Sequence, residues 1–247
     1  MATVKMKKLR LIISRDHVAN VICELMLLGC VEVSEPSELL TDPELSVLVS
    51  QEESDLETCR LDFTSLTRSL DIIDTHAPDN STESTERQQI TLDKLLFETY
   101  PESGLMLAKS LETLDNMLLI LPDQDKPEVI EQIIAAANQR EDLQLCCDHF
   151  SIRISMAETI GKMLGTDYTV ILAGWLPAKA EPEVTQRLSQ YLCACEFTDP
   201  VPGEQESVPA LQKSTKLLGR LQNDTRRPFR PLSIRTQYVD VVRGYER

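Results

Sequence analysis

The chain has 247 residues, enough for one large or two small domains, and its 42% apolar content suffices to bury a core. Aromatic residues make up only 4% and glycines number eight, which suits helices packed by Leu, Ile and Ala better than an all-β fold. A formal charge of −15 argues against nucleic acid, where binding is driven by cations that displace phosphate counterions.

That charge is unevenly placed. Residues 1–15 carry +5 and residues 213–247 carry +6, which leaves −26 on the middle of the chain. Basic ends on an acidic body suit an anionic membrane surface or an acidic partner, and equally an ordinary solvated surface. Seven cysteines, an odd number without regular spacing, read as reduced thiols of an intracellular protein. The opening MATVKMKKLRLII is too short in apolar residues for a secretory signal. No stretch approaches the ~18 consecutive apolar residues of a membrane span. The expectation is a soluble, cytoplasmic chain.

In chain order, residues 4–13 are rich in β-branched and apolar side chains and predict a strand. Ser14 and Asp16 offer cap oxygens for a helix carrying Val18, Val21, Ile22, Leu25 and Leu28, and Gly29 suits its end. Residues 30–33 supply a second strand, so residues 1–34 read as a βαβ unit with parallel strands. Beyond Pro36 and Pro43, residues 52–75 place Leu56, Cys59, Phe63, Leu66, Leu70 and Ile73 at alternating spacings of three and four, the seam of a coiled coil.

Residues 76–89 are polar and predict a mobile loop. A helix over 91–118 follows, disturbed near Pro101 and Gly104. Residues 127–164 predict one long helix with a stripe through Ile130, Ile134, Ala137, Leu145, His149, Ile152, Met156, Ile160 and Met163, closed by Gly165. At 1.5 Å per residue it would extend roughly 57 Å and need a partner helix, for which the 52–75 seam is the obvious candidate, against residues 145–163. Residues 168–176 then form a strand with Trp175 near its end, Pro182 opens a helix over 181–192, and residues 193–198 close a second βαβ unit.

The predicted fold is therefore α+β. A ferredoxin-like βαβ-βαβ head is formed by 1–34 together with 168–200. A long antiparallel helical hairpin over 52–164 projects from it as a coiled-coil arm. Residues 201–247 lack periodicity and predict an extended or disordered tail.

The chemistry is mostly absent from the motifs. The eight glycines form neither a phosphate loop nor a G-x-G-x-x-G turn. Gly161 and Gly165 make G-x-x-x-G, but Lys162 removes the apolar context that gives it meaning. Cys146, Cys147, Asp148 and His149 form the most chemical-looking cluster, and Cys146 and His149 together with Cys193 and Cys195 would make four zinc ligands. Packed thiols and an interface histidine explain the same residues more simply. No catalytic residue, cofactor or metal is expected.

Several segments together resemble one family. V-K-M-K-K-L-R-L (4–11), L-G-C-V-E-V (28–33), S-E-P-S-E-L-L-T-D-P (34–43), R-E-D-L-Q-L (140–145), S-I-R-I-S (151–155) and Y-T-V-I-L-A-G-W-L-P (168–177) are similar to subunit I of V-type (A/V-type) rotary ATPases, called subunit a in eukaryotes. The G-W-L-P end, at Gly174, Trp175 and Pro177, is the most specific part. The match covers about 1–75 and 139–200. The resemblance implies a non-enzymatic stator: α/β lobes joined by long antiparallel helices at the cytoplasmic face of the cell membrane, bound by peripheral-stalk subunits and continuous with a membrane sector that these 247 residues do not include. Against the distal lobe that the family carries between its long helices, residues 76–127 make a reduced distal region. The candidate structural and interface residues are Leu56, Phe63, Leu66 and Leu70 of the seam, Ile152 and Met156 of the facing stripe, and Gly174, Trp175 and Pro177 of the family-like motif. Two other functions fit the same patterns, a free-standing coiled-coil adaptor and a ferredoxin-like small-molecule-binding regulatory domain.

Overall fold

A computed structural model of the chain describes residues 4–36, 49–77, 87–99, 101–201, 208–210 and 228–242. In chain order the elements are β1 (Met6–Ser14), α1 (Val18–Leu28), β2 (Glu32–Ser34), β3 (Ser50–Gln51), α2 (Leu56–His76), β4 (Gln88–Thr91), α3 (Pro101–Ile120), α4 (Lys126–Ala136), α5 (Arg140–Ile160), β5 (Leu164–Gly165), β6 (Thr169–Pro177), α6 (Glu181–Leu188), β7 (Cys193–Thr198) and β8 (Val239–Val242). They fall into two compact units. Met1–Ser54 with Met156–Ile234 makes an α/β unit, and Asp55–Ser155 with Arg235–Arg247 makes a helical unit.

The α/β unit is organised by β1. Its side chains alternate, with Leu9, Leu11 and Ile13 fully buried and Ile12 half-exposed on the opposite face. Nine residues of β1 pair with β6, from Met6 opposite Pro177 to Ser14 opposite Thr169, and six pair with β7 on the other edge. The far edge of β6 is shared by β2, opposite residues 173–175, and β5, which in turn pairs with β3. Every pairing in this sheet is antiparallel. Helices α1 and α6 touch each other and bury Val21, Ile22, Leu25, Val184 and Leu188. Full burial of such aliphatic side chains contributes about 1.5–3 kcal/mol each.

Three expectations are corrected here. The strands of the first unit do run in one direction, but β6 lies between β1 and β2 and is antiparallel to both. A βαβ pattern encodes the direction of the crossover and not the strand inserted beneath it. Neither Ser14 nor Asp16 caps α1, which is entered through a 3-10 turn at Arg15–His17 with no side-chain cap bond. Gly165 is not a helix end, because α5 stops at Ile160 and Gly165 sits in β5.

The described residues of the tail run largely without helix or strand, yet some of them are packed. Val208 packs with Met6 and Trp175, joined by Val4 and Phe229. The Arg230 amide donates to the buried Glu32 carboxylate at 2.7 Å, and the Leu232 amide donates to the Val31 carbonyl at 2.7 Å. Val208, Phe229, Arg230 and Leu232 thus pack in the α/β unit around Met6, Trp175 and Glu32. Residues 202–207, 211–227 and 243–247 of the predicted tail lie outside the described residues.

In the helical unit, α2 packs on α3 and α4, and α3 packs on α4. Their core joins Leu66, Leu70, Ile73, Ala108, Leu111, Val129, Ile133, Leu143, Cys146, Cys147 and Phe150. Arg153 pairs with Asp55 at 2.6 Å, and Arg140 pairs with Asp74, so α2 and the first part of α5 run antiparallel. The seam of α2 is therefore shared among three helices. It does not face one partner along 145–163.

The predicted 127–164 helix is interrupted by a 3-10 turn at Ala137–Gln139. The break has a geometric reason. Val129 and Ile133 are the buried positions of α4, whereas Ile134 of the predicted stripe is 41% exposed. On a continuous helix at 100° per residue, Leu143 would point roughly 80° away from Ile133. Three residues at 120° reduce that offset to roughly 20°, so both segments face one core.

The predicted 91–118 helix is likewise divided. Gln88–Thr91 is a strand, Lys94–Glu98 forms a π-helical turn, and α3 starts at Pro101, where a missing N–H costs nothing. Gly104 does not disturb α3. A Cβ there would collide with Cys146 Sγ, so the glycine lets α3 and α5 approach. Of the predicted 76–89 loop, residues 78–86 lie outside the described residues.

Candidate interaction surfaces

The residues singled out from sequence divide between core and edge. Leu66, Leu70 and Ile152 are buried; Leu56, Phe63 and Met156 are half-buried. Leu66 and Leu70 help form the interior of the helical unit, and Phe63 packs at its margin. In the α/β unit Gly174 and Trp175 are buried in β6 and Pro177 is half-buried at its end. A Cβ on Gly174 would stand 2.5 Å from the Glu32 carbonyl oxygen, so this position admits β2 only as glycine.

The exposed apolar side chains lie elsewhere. At the end of α3, Leu119 and Ile120 are 79% and 82% exposed, and Met106 on the same helix is 71% exposed. In the α/β unit Tyr168 and Leu192 are also exposed, and their carbonyls accept from the adjacent amides of Arg15 and Ser14 at the end of β1. Periodicity did not point to any of these, because the pattern that marks a helix face marks the buried side.

Five consecutive residues of α5, from Cys146 to Phe150, are buried. Cys146, Cys147 and Phe150 enter the helical core. Burial pushes the Cys146 thiol up to about 11 and the Cys147 thiol up to about 12, which leaves both protonated and poorly nucleophilic at neutral pH. His149 donates from Nδ1 to the Leu95 carbonyl at 3.1 Å, and burial holds its pKa below the usual histidine range. No group of three or more His, Cys, Asp or Glu side chains among the described residues is placed to hold a metal ion.

The sequence pattern assigned no role to Asp148, although it stands in the Cys146–His149 cluster, nor to Glu32. The Asp148 carboxylate is 1% exposed and accepts three backbone N–H bonds, from Gln237 at 2.6 Å and from Tyr238 and Val239 at 2.8 Å. Its only sequence signal is an acid set between Cys147 and His149 in an otherwise apolar stretch. An open cavity of about 270 Å³ in the same unit is lined by Ile90, Lys94, Glu98, Asp142, Leu145 and Cys146. Thr99 and Ser103 complete the lining, which carries charges of both signs beside the apolar Ile90 and Leu145.

No protein-family model matches the chain, and neither does any curated protein. No helix among the described residues is long and apolar enough to cross a membrane.

Proposed function

We propose that this chain is the cytosolic part of a non-catalytic stator subunit of a V-type rotary ATPase. In this reading it docks peripheral stalks and resists rotor torque, while ATP hydrolysis and ion transfer belong to other parts of the machine. The observation that carries the reading is the chain's division. One sheet is assembled from two segments, β1 to β2 and β6 to β7, on either side of an inserted helical unit.

The strand order β7-β1-β6-β2, with α1 and α6 as crossovers, supports a ferredoxin-like head. The antiparallel run of α2 beside α5 supports the arm, thickened by α3 and α4 rather than built as a bare coiled-coil hairpin. A bundle of this kind resists bending better than two helices, which suits a load-bearing part. The G-W-L-P segment, where the resemblance is strongest, lies in the strand whose glycine admits β2.

The test is reconstitution. The purified chain is expected to co-elute with a peripheral-stalk heterodimer and to add no ATP turnover of its own. Failure to co-elute, or turnover that tracks the chain through repeated chromatography, would overturn the reading.

A further inference from the structure

Residues 235–242 bear on a different question, what the helical unit binds. β8 pairs with β4 in parallel over four residues, Gln88 opposite Val239 through Thr91 opposite Val242. These two strands form a sheet of their own. A two-stranded sheet this short is marginal in water and needs further support.

The support comes from α5. Asp148 takes the amides of three successive residues, Gln237, Tyr238 and Val239, and Ser151 Oγ donates to the Arg235 carbonyl at 2.8 Å. Thr236 Oγ1 closes the turn by donating to the Val239 carbonyl at 2.7 Å. Side chains add the buried Val239, the partly buried Tyr238 and an exposed Asp240–Arg87 ion pair at 3.7 Å, but the close bonds to α5 and β4 run through the segment's backbone. Charge-assisted bonds to backbone amides are strong yet blind to sequence, and strand addition has the same character.

We propose that residues 235–242 are a strand-shaped ligand bound in cis, and that β4 with Asp148 is a strand-addition site for an extended peptide. The ligand class is a segment that presents three successive backbone N–H groups to the carboxylate and then continues as a parallel strand. The segment releases as a unit while α2, α3 and α5 stay folded, and it rebinds when supplied as a separate peptide.

The experiment uses the full chain carrying Val239→Pro, which removes one of the three amides and weakens the internal ligand. A fluorescein-labelled peptide of residues 235–242 is titrated in and followed by anisotropy, with hydrogen exchange on α2 as the folding control. The expected result is saturable binding at least tenfold tighter than to the unmodified chain, lost when Asp148→Ala is added, with α2 protection unchanged. Two results would overturn the proposal. One is a folded Val239→Pro chain that does not bind the peptide. The other is loss of α2 protection in that variant, which would make the segment part of the core.

Discussion

In the α/β unit, β1 has both neighbours fixed residue by residue, whereas in the helical unit α2 is held by side-chain volume against several helices at once. The two arrangements fail differently. A one-residue slip of β1 would turn Leu9, Leu11 and Ile13 out of the interior together, so register protects the sheet as a whole. The helical core has no such lock. It depends on individual fits such as Gly104 against Cys146, and on a 3-10 turn that brings Ile133 and Leu143 to one side.

The largest expected effect that sharpens this contrast is Leu66→Ala. Leu66 is fully buried, so its loss should cost about 2–5 kcal/mol. Hydrogen exchange should show the loss in α2 and α3 while amides of β1 and β6 keep their protection. Equal loss in both units would mean that they unfold as one.

Gly174→Ala is the reciprocal test. The added methyl meets the Glu32 backbone, and overpacking of this kind costs about 1–3 kcal/mol. A lower urea midpoint with faster exchange at residues 32–34 is expected, with α2 unaffected.

The fit of Gly104 is measured by a double-mutant cycle. Alanine favours a helix interior by about 1 kcal/mol over glycine, yet Gly104→Ala should destabilise because its Cβ meets the Cys146 thiol. In a Cys146→Ala background the penalty should shrink, because only the Cβ at 3.1 Å remains in the way. Additive effects would show that the thiol does not set the helix spacing.

The smallest effect is the acid response of His149. Burial holds its folded pKa below 6.5, so the unfolded chain takes up the proton first as pH falls. Its contribution is complete above about 6.5 and is lost as pH drops through the folded value. The urea midpoint of the helical unit should therefore decline below that pH. A midpoint that holds steady to pH 5 would contradict the burial of a neutral His149.

The same contrast decides what could be read from sequence. Alternation in β1 and the apolar runs of β6 and β7 announced strands, since a pleated, half-buried strand writes its period into the residues. No local pattern encodes the interposition of β6 between β1 and β2, which depends on pairing across about 140 to 170 residues; only the expectation that two βαβ units share one sheet implied it. In the helical unit, Leu66 and Leu70 stood out by spacing and are core. The division at Ala137 was hidden because a short 3-10 turn leaves no composition mark. Nor did Q-Q-I-T at 88–91 announce a strand, since its partner lies about 150 residues away and its anchor, Asp148, lies on a third element.

If the chain is the stator part we propose, the helical unit is where we expect it to meet the stalk. Phe63 sits at the margin of that unit, half-buried against its core, so Phe63→Asp perturbs it locally. Affinity of the full chain for a peripheral-stalk heterodimer, measured by calorimetry alongside hydrogen exchange of β1 and β6, tests the claim directly. The account predicts at least a tenfold loss of affinity in Phe63→Asp with the protection of β1 and β6 intact. Full affinity in that variant would contradict it and assign docking to the α/β unit.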